Sequence, residues 1–231
     1  FDAGRSPGSC VAWNLPRSTY VDWDGDGLRE LIAGNYVYRN YGTDTSPRFY
    51  KNCRYPLTVV VKRNHREVDW DGDGDLDIIS ADRSPQIWLF ENIGTREAPR
   101  LCPEKVLKTH EGEEIWIPGQ LNCAVPYDWD GDGDLDLLWG GEDGFIGLVE
   151  NIAGPGKDPK LVQSRMVEQI NPWVDTGSLA IPQIVDWDGD GDLDVVTGGS
   201  DAYILFFENI GSCSLPAFAA PVELKAGGEV I

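Results

Sequence analysis

The chain has 231 residues, with 39 acidic and 19 basic side chains and a formal charge of −20, a length that suits one large domain or two small ones. A charge of that sign repels nucleic-acid phosphates and anionic membranes, and no apolar run approaches the ~20 residues of a membrane helix. Five cysteines, Cys10, Cys53, Cys102, Cys123 and Cys213, include no CxxC pair, which argues against a zinc ribbon or a thioredoxin-type site and leaves room for one or two disulfides.

The chain starts at Phe1 without a visible signal peptide, as a processed or excised segment would. From Val21 the stretch VDWDGDGLRELIAG places alternating aspartates in a glycine-rich loop and runs into a short apolar strand. A second strand, YVYRN, ends at Asn40, and Pro47/Phe49 follow. The unit then recurs. VDWDGDGDLDIISA from Val68 is followed by IWLFEN to Asn92 and by Pro99/Leu101. YDWDGDGDLDLLWG from Tyr127 is followed by IGLVEN to Asn151 and by Pro159/Leu161. VDWDGDGDLDVVTG from Val185 is followed by LFFEN to Asn209 and by Pro216/Phe218. The first aspartates of the four loops lie 47, 59 and 58 residues apart.

Three landmarks in constant order define four tandem repeats, which is the first thing to establish in a sequence of this kind. Each repeat is read as short strands, with Glu114–Ile117 and Ala219–Leu224 supplying further ones, and only Val162–Ile170 shows a weak helical periodicity. Repeats of about this length with about four strands each predict an all-β fold of propeller blades. The tail from Pro216 matches the stretch from Pro99 that leads into another acidic loop, as in units cut from a longer array.

The loops span residues 22–30, 69–77, 128–136 and 186–194. In the second, Asp69, Asp71 and Asp73 hold positions 1, 3 and 5, Gly74 position 6, Asp75 position 7 and Asp77 position 9. Alternate positions in a tight loop turn carboxylates to one centre, glycine at 6 permits the left-handed turn, position 7 offers its backbone carbonyl and position 9 closes the shell. An all-oxygen, flexible, multi-carboxylate cage suits Ca²⁺ better than Mg²⁺ or Zn²⁺. Asp128, Asp130, Asp132, Asp134 and Asp136 repeat the pattern, as do Asp186, Asp188, Asp190, Asp192 and Asp194. The first loop keeps Asp22, Asp24 and Asp26 but has Leu28 at position 7 and Glu30 at position 9, which predicts a weaker site. About four Ca²⁺ ions are expected. The loops hold 19 of the 39 acids, so much of the acidity is metal-site charge. An EF-hand needs an acid at position 12, where this chain has Ala33, Ser80, Trp139 or Thr197.

The pattern D-x-D-x-D-G-x-x-D followed by a short apolar strand resembles the FG-GAP/VCBS repeat, the blade unit of integrin-α-like propellers, of some fungal lectins and of a family of rhamnogalacturonan lyases. The resemblance covers nearly the whole chain, residues 1–231 as one propeller segment. It implies four-stranded blades with calcium in their hairpins and an extracellular, cell-surface or periplasmic location. Such propellers have seven or eight blades, so four repeats call for further blades or a second chain to close the ring.

Trp23, Trp70, Trp129 and Trp187 recur at loop position 2, alternate with ion-facing aspartates and are expected to pack on a neighbouring blade. Trp13, Trp116 and Trp173 precede loops in Pro- and Gly-flanked stretches, where an exposed ring could stack on a sugar or a peptide. A basic cluster, Lys62-Arg63-Asn64-His65-Arg66, interrupts the acidic chain; Arg63, His65 and Arg66 are the residues a uronate-directed lyase would use, or a surface patch that balances nearby acids. The expected function is a calcium-binding, adhesion-type propeller that takes a glycan or protein ligand at its loops. The alternative is a polysaccharide lyase on the same scaffold, and the balance leans away from an enzyme.

Overall fold

The computed structural model describes residues 18–62, 64–120, 122–167, 180–198, 203–212, 216–227 and 229–230. Over these residues the chain is built of strands, with no helix. The first sheet comprises β1 (Ser18–Val21), β2 (Glu30–Ala33), β3 (Tyr36–Asn40) and β4 (Phe49–Pro56). The second comprises β5 (Asn64–Val68), β6 (Asp77–Ala81), β7 (Ile87–Phe90) and β8 (Lys105–Val106). The third comprises β9 (Cys123–Tyr127), β10 (Asp136–Gly140), β11 (Ile146–Val149) and β12 (Arg165–Met166). The fourth comprises β13 (Ile181–Val185), β14 (Asp194–Gly198), β15 (Ile204–Phe207) and β16 (Val222–Glu223), and a two-stranded ribbon of β17 (Lys225–Ala226) and β18 (Glu229–Val230) follows.

Each four-stranded sheet is an antiparallel meander in chain order, the form of a propeller blade. β1 lies beside β5, β5 beside β9 and β9 beside β13, so the first strand of every blade lines a common inner side. The blades form an open series. The outer strand of the second blade is Lys105–Val106 rather than Glu114–Ile117, which instead forms a crossover with Ile115 and Ile117 buried and Glu114 bridged to Lys108. Arg165–Met166 is a strand inside the stretch of weak helical periodicity, and residues 168–170 of that stretch lie outside the described residues.

Strand alternation places successive side chains on opposite faces, and this decides how blades stack. The residue after each loop, at position 10, faces the preceding blade; the residue at position 11 faces the following one. Ile32 packs with Ile78, Ile79 with Leu137, and Leu138 with Val195, each pair within one buried cluster between consecutive blades. Three of the position-2 tryptophans join the same clusters, Trp23 with Leu101, Trp70 with Leu161 and Trp129 with Phe218, the last pair with ring centroids 5.9 Å apart, whereas Trp187 does not pack on a neighbouring blade as expected: it is 53% exposed and lies against Phe206 of its own sheet.

Candidate metal centres in the blade hairpins

Every acidic loop joins the first strand of a blade to the second. The last residue of the first strand pairs with position 9 in the ladder: Val21 with Glu30, Val68 with Asp77, Tyr127 with Asp136 and Val185 with Asp194. The eight residues between are folded by their own side chains. Asp69 accepts hydrogen bonds from the N–H groups of Gly72 (2.8 Å) and Gly74 (3.1 Å), Asp71 from Asp73 (3.2 Å) and Asp73 from Asp75 (2.9 Å). The third loop repeats this set. Gly72 and Gly74 sit at φ +78° and +95°, a region that a side chain makes costly.

Position 9 is the buried keystone. Asp77 accepts the N–H of Trp70 on one oxygen (3.1 Å) and that of Asn92 on the other (2.7 Å). Asp136 holds Trp129 (2.8 Å) and Asn151 (2.7 Å), and Asp194 holds Trp187 (2.8 Å) and Asn209 (2.9 Å). Glu30 holds Trp23 at 3.1 Å. Burial pushes the carboxyls of Glu30, Asp77 and Asp136 up to about 7, although the backbone donors pull the other way.

The asparagine landmarks thus have a structural role that their recurrence alone did not reveal. The Asn92 N–H donates to the keystone acid, while its side-chain oxygen accepts from Gly94 (3.0 Å) and Arg100 (2.8 Å), pinning the turn that follows β7. Asn40, Asn151 and Asn209 pin the equivalent turns.

Carboxylate oxygens converge in each loop to within 4.8 Å of one another: Asp22, Asp24, Asp26 and Glu30; Asp69, Asp71 and Asp73; Asp128, Asp130 and Asp136; Asp186, Asp188 and Asp194. Position 7 lies beside these sets. Asp75 and Asp134 are buried, and one oxygen of each has no hydrogen-bond partner; the same holds for one oxygen each of Asp22, Asp24, Glu30 and Asp192. Burial and the neighbouring aspartates raise the Asp75 and Asp192 carboxyls. Orphaned buried carboxylate oxygens amid like charges are costly unless a cation supplies the missing partner. The donor set, all oxygen and mostly carboxylate, fits Ca²⁺. The first loop differs in that Arg39 forms a 2.8 Å ion pair with Asp24, and Leu28 brings no carboxylate to position 7.

The other predicted site residues are dispersed. Trp116 is 58% exposed, on a backbone held at both ends: its N–H donates to the Gln163 side chain (2.9 Å) and its carbonyl accepts the Ser164 hydroxyl (2.7 Å). His65 does not face solvent. It is 1% exposed, paired through Nδ1 with Glu67 at 2.8 Å, because alternation along β5 turns it into the interface with the first blade. Arg66 is half-buried and donates to the His65 carbonyl; Trp13, Arg63 and Trp173 lie outside the described residues. A cleft of about 680 Å³ opens between the second and third blades, with Trp70, Leu107 and Leu161 in its wall and Asp71, Lys105 and Lys108 at its polar positions. The corresponding space between the third and fourth blades holds Phe218 where the cleft has the smaller Leu161.

Residues 69–139 match the family model of the FG-GAP-like repeat, from the first aspartate of the second loop to the strand after the third. No curated protein matches the chain. Among solved structures, the chain is similar to BBS1N in complex with ARL6DN, at a TM-score of 0.45 and 12% identity over 92% of this chain and 58% of that one. It is also similar to an Agrocybe aegerita lectin that recognises non-reducing terminal N-acetylglucosamine, at a TM-score of 0.49 and 20% identity over 91% of this chain and 52% of that one. The chain therefore spans a little over half the length of these structures. The second and third loops fall inside the stretch that matches the FG-GAP-like repeat, and the same hairpin recurs in the flanking blades of this all-β, propeller-type fold.

Proposed function

We propose that the chain is a calcium-binding propeller module, working outside the cell or at its surface, that presents a rigid binding surface for a glycan or protein ligand. The observation that carries this reading is the set of buried carboxylate oxygens without hydrogen-bond partners beside the converging aspartates of each loop. Ca²⁺ held there neutralises charge inside each hairpin, fixes the turn between the first two strands and steadies the blade interface that the adjacent tryptophan helps to form. Four ions would bring the formal charge from −20 to −12.

For the ligand, the reading rests on Trp116 and on the cleft beside Trp70. An indole held outward on a braced backbone offers a stacking face for a sugar ring at little cost in ordering. The cleft combines an apolar wall with acidic and basic groups, a mixture suited to hydroxyl-bearing ligands. The lyase alternative needs His65 within reach of substrate; enclosed with Glu67, it gives that alternative no support.

Calorimetric titration of metal-stripped protein with Ca²⁺, alongside thermal unfolding with Ca²⁺ and with excess EGTA, tests the reading. The expected results are a stoichiometry near four and a large fall in melting temperature on chelation, because a ligand that binds only the folded state stabilises it. No heat and no shift would overturn it.

A further inference from the structure

At the end of the sheets away from the acidic loops, three segments meet between the second and third blades: the turn 82–86 between β6 and β7, the turn 141–144 between β10 and β11, and the crossover that leads into β9. Asn122, the residue before β9, ties them together and is fully buried. Its N–H donates to the Asp82 carbonyl (3.0 Å) and its Nδ2 to the Ser84 carbonyl (3.3 Å), while its own carbonyl accepts Asn64 Nδ2 (2.6 Å). The bond to Ser84 fixes which end of the amide is which, and Oδ1 is left without a hydrogen-bond partner. One carboxylate oxygen of Asp82 is buried without a partner as well. Asn122 Oδ1 faces space that two glycines keep open. A Cβ on Gly119 would stand 3.0 Å from Asp143 Oδ2 and 3.7 Å from Asn122 Oδ1; one on Gly141 would stand 2.8 Å from Asn122 Oδ1 and 3.5 Å from the Pro118 carbonyl oxygen. The place also departs from the repeat. Ala180 holds the equivalent position before the fourth blade, its N–H donating to the Gly141 carbonyl (2.9 Å), yet it carries no side-chain oxygen. Blade packing therefore does not require a polar side chain there, and a buried acceptor left unmet is costly.

We infer that this junction is a second kind of Ca²⁺ site, separate from the hairpins, with Asn122 Oδ1, the Asp143 carboxylate and the Pro118 carbonyl as its protein donors and Asp82 adding negative charge beside them. Carboxylate, amide and backbone oxygens, completed by water on the open Asp143 side, are the donors Ca²⁺ takes, whereas Mg²⁺ demands a stricter octahedron and Zn²⁺ prefers nitrogen and sulfur. A site with so few charged donors belongs in the weak range, about 10⁻⁴–10⁻³ M. The ion ties the turn 141–144 to the crossover. That crossover is the segment that carries Trp116, two residues before Pro118, so the ion steadies the loop that presents the exposed indole. The inference is independent of the hairpin reading, whose carboxylates lie at the other end of the sheets.

Equilibrium dialysis of the metal-stripped chain against radiolabelled Ca²⁺, carried through the range of about 10⁻⁴–10⁻³ M, tests it. The wild type should take up one equivalent in that range beyond those of the hairpins. Asp143→Ala should lose this equivalent and keep the others; because Asp143 is exposed, circular dichroism and the metal-free melting temperature should match the wild type. Asp143→Asn, which keeps an oxygen but not the charge, should weaken the site without abolishing it. Identical isotherms for the wild type and Asp143→Ala would overturn the inference and leave water as the partner of Asn122 Oδ1. So would a loss in Asp143→Ala of tightly held equivalents alone. Failure of the hairpin reading looks different: Asp73→Ala would then leave the isotherm unchanged, while Asp143→Ala would still remove its equivalent.

Discussion

The Arg96 guanidinium donates to the backbone carbonyl of Asp22 at 3.0 Å, so that a turn of the second blade grips the acidic loop of the first. Its other amino group reaches Gly74 in its own blade's loop at 3.3 Å. A side chain at Gly25 would strike Arg96, so the fit is close on both sides. Two consecutive hairpins are thereby joined through one cation that touches no carboxylate of either loop. Arg96→Ala is expected to cost about 1 kcal/mol of stability, the typical net worth of such hydrogen bonds, and to leave the Ca²⁺ stoichiometry unchanged. Urea unfolding and calorimetry on the same variant check both halves.

The keystone carboxylate should be far less tolerant. Asp77→Ala strands the buried N–H groups of Trp70 and Asn92, and unsatisfied buried donors cost about 1–3 kcal/mol each. The expected outcome in Ca²⁺ buffer is a destabilisation of several kcal/mol on that scale, together with loss of one binding equivalent. Asp73→Ala, on the exposed side of the same loop, should lose the binding equivalent with a much smaller effect on the metal-free protein.

The metal-free protein should respond to pH with an unusual sign. Glu30, Asp77 and Asp136 have carboxyls pushed up to about 7 by burial, above an unfolded value of about 4. A raised acid contributes stability that is fully present below the unfolded value and is lost as pH rises through about 7. Stripped protein is therefore expected to melt at a higher temperature at pH 5.5 than at pH 8. With saturating Ca²⁺ the trend should reverse, because protons then compete with the ion. Melting curves in metal-free and Ca²⁺ buffers across that range read the two slopes directly.

Arg39 should make the first loop the weakest of the four. Its ion pair with Asp24 places a fixed cation beside the carboxylates that would hold the metal. Arg39→Gln is expected to tighten Ca²⁺ binding at one site several-fold while leaving the other three unchanged, which a sequential-site fit to the titration would resolve.

Trp116→Ala should separate binding from stability. The indole is exposed, and its anchoring bonds use only the backbone. Stability should stay within about 0.5 kcal/mol of wild type, as for most surface substitutions, while retention on a glycan array falls. Unchanged retention would move the ligand site away from this residue.

The acidic loops were legible in the sequence because their carboxylates lie within nine residues and the loop folds on its own hydrogen bonds; positions 1 and 3 meet in every loop, whereas position 5 joins them only in the first two and position 9 only in the first, third and fourth. The blade boundaries were legible for a related reason, since Asn92, Asn151 and Asn209 stand at a constant distance from the acid each one contacts. Arg39 and Arg96 were not legible. Each acts on a loop 15 residues away or in another blade, and nothing in their neighbours' identity marks the contact.

What the sequence by itself determined is the repeated unit: a hairpin, its acidic cage and a four-stranded sheet with an apolar residue on either side at positions 10 and 11. Only the tertiary structure decided which of these identical-looking positions is covered. Trp129 and Trp187 occur in nearly the same loop, yet Trp129 is buried against Phe218 of the following blade while Trp187 is exposed beside Phe206 of its own sheet. His65 shows the converse, a residue from a basic and polar stretch enclosed because strand alternation turned it toward the first blade. Ligand geometry is local and travels with the motif, whereas exposure is a property of neighbours.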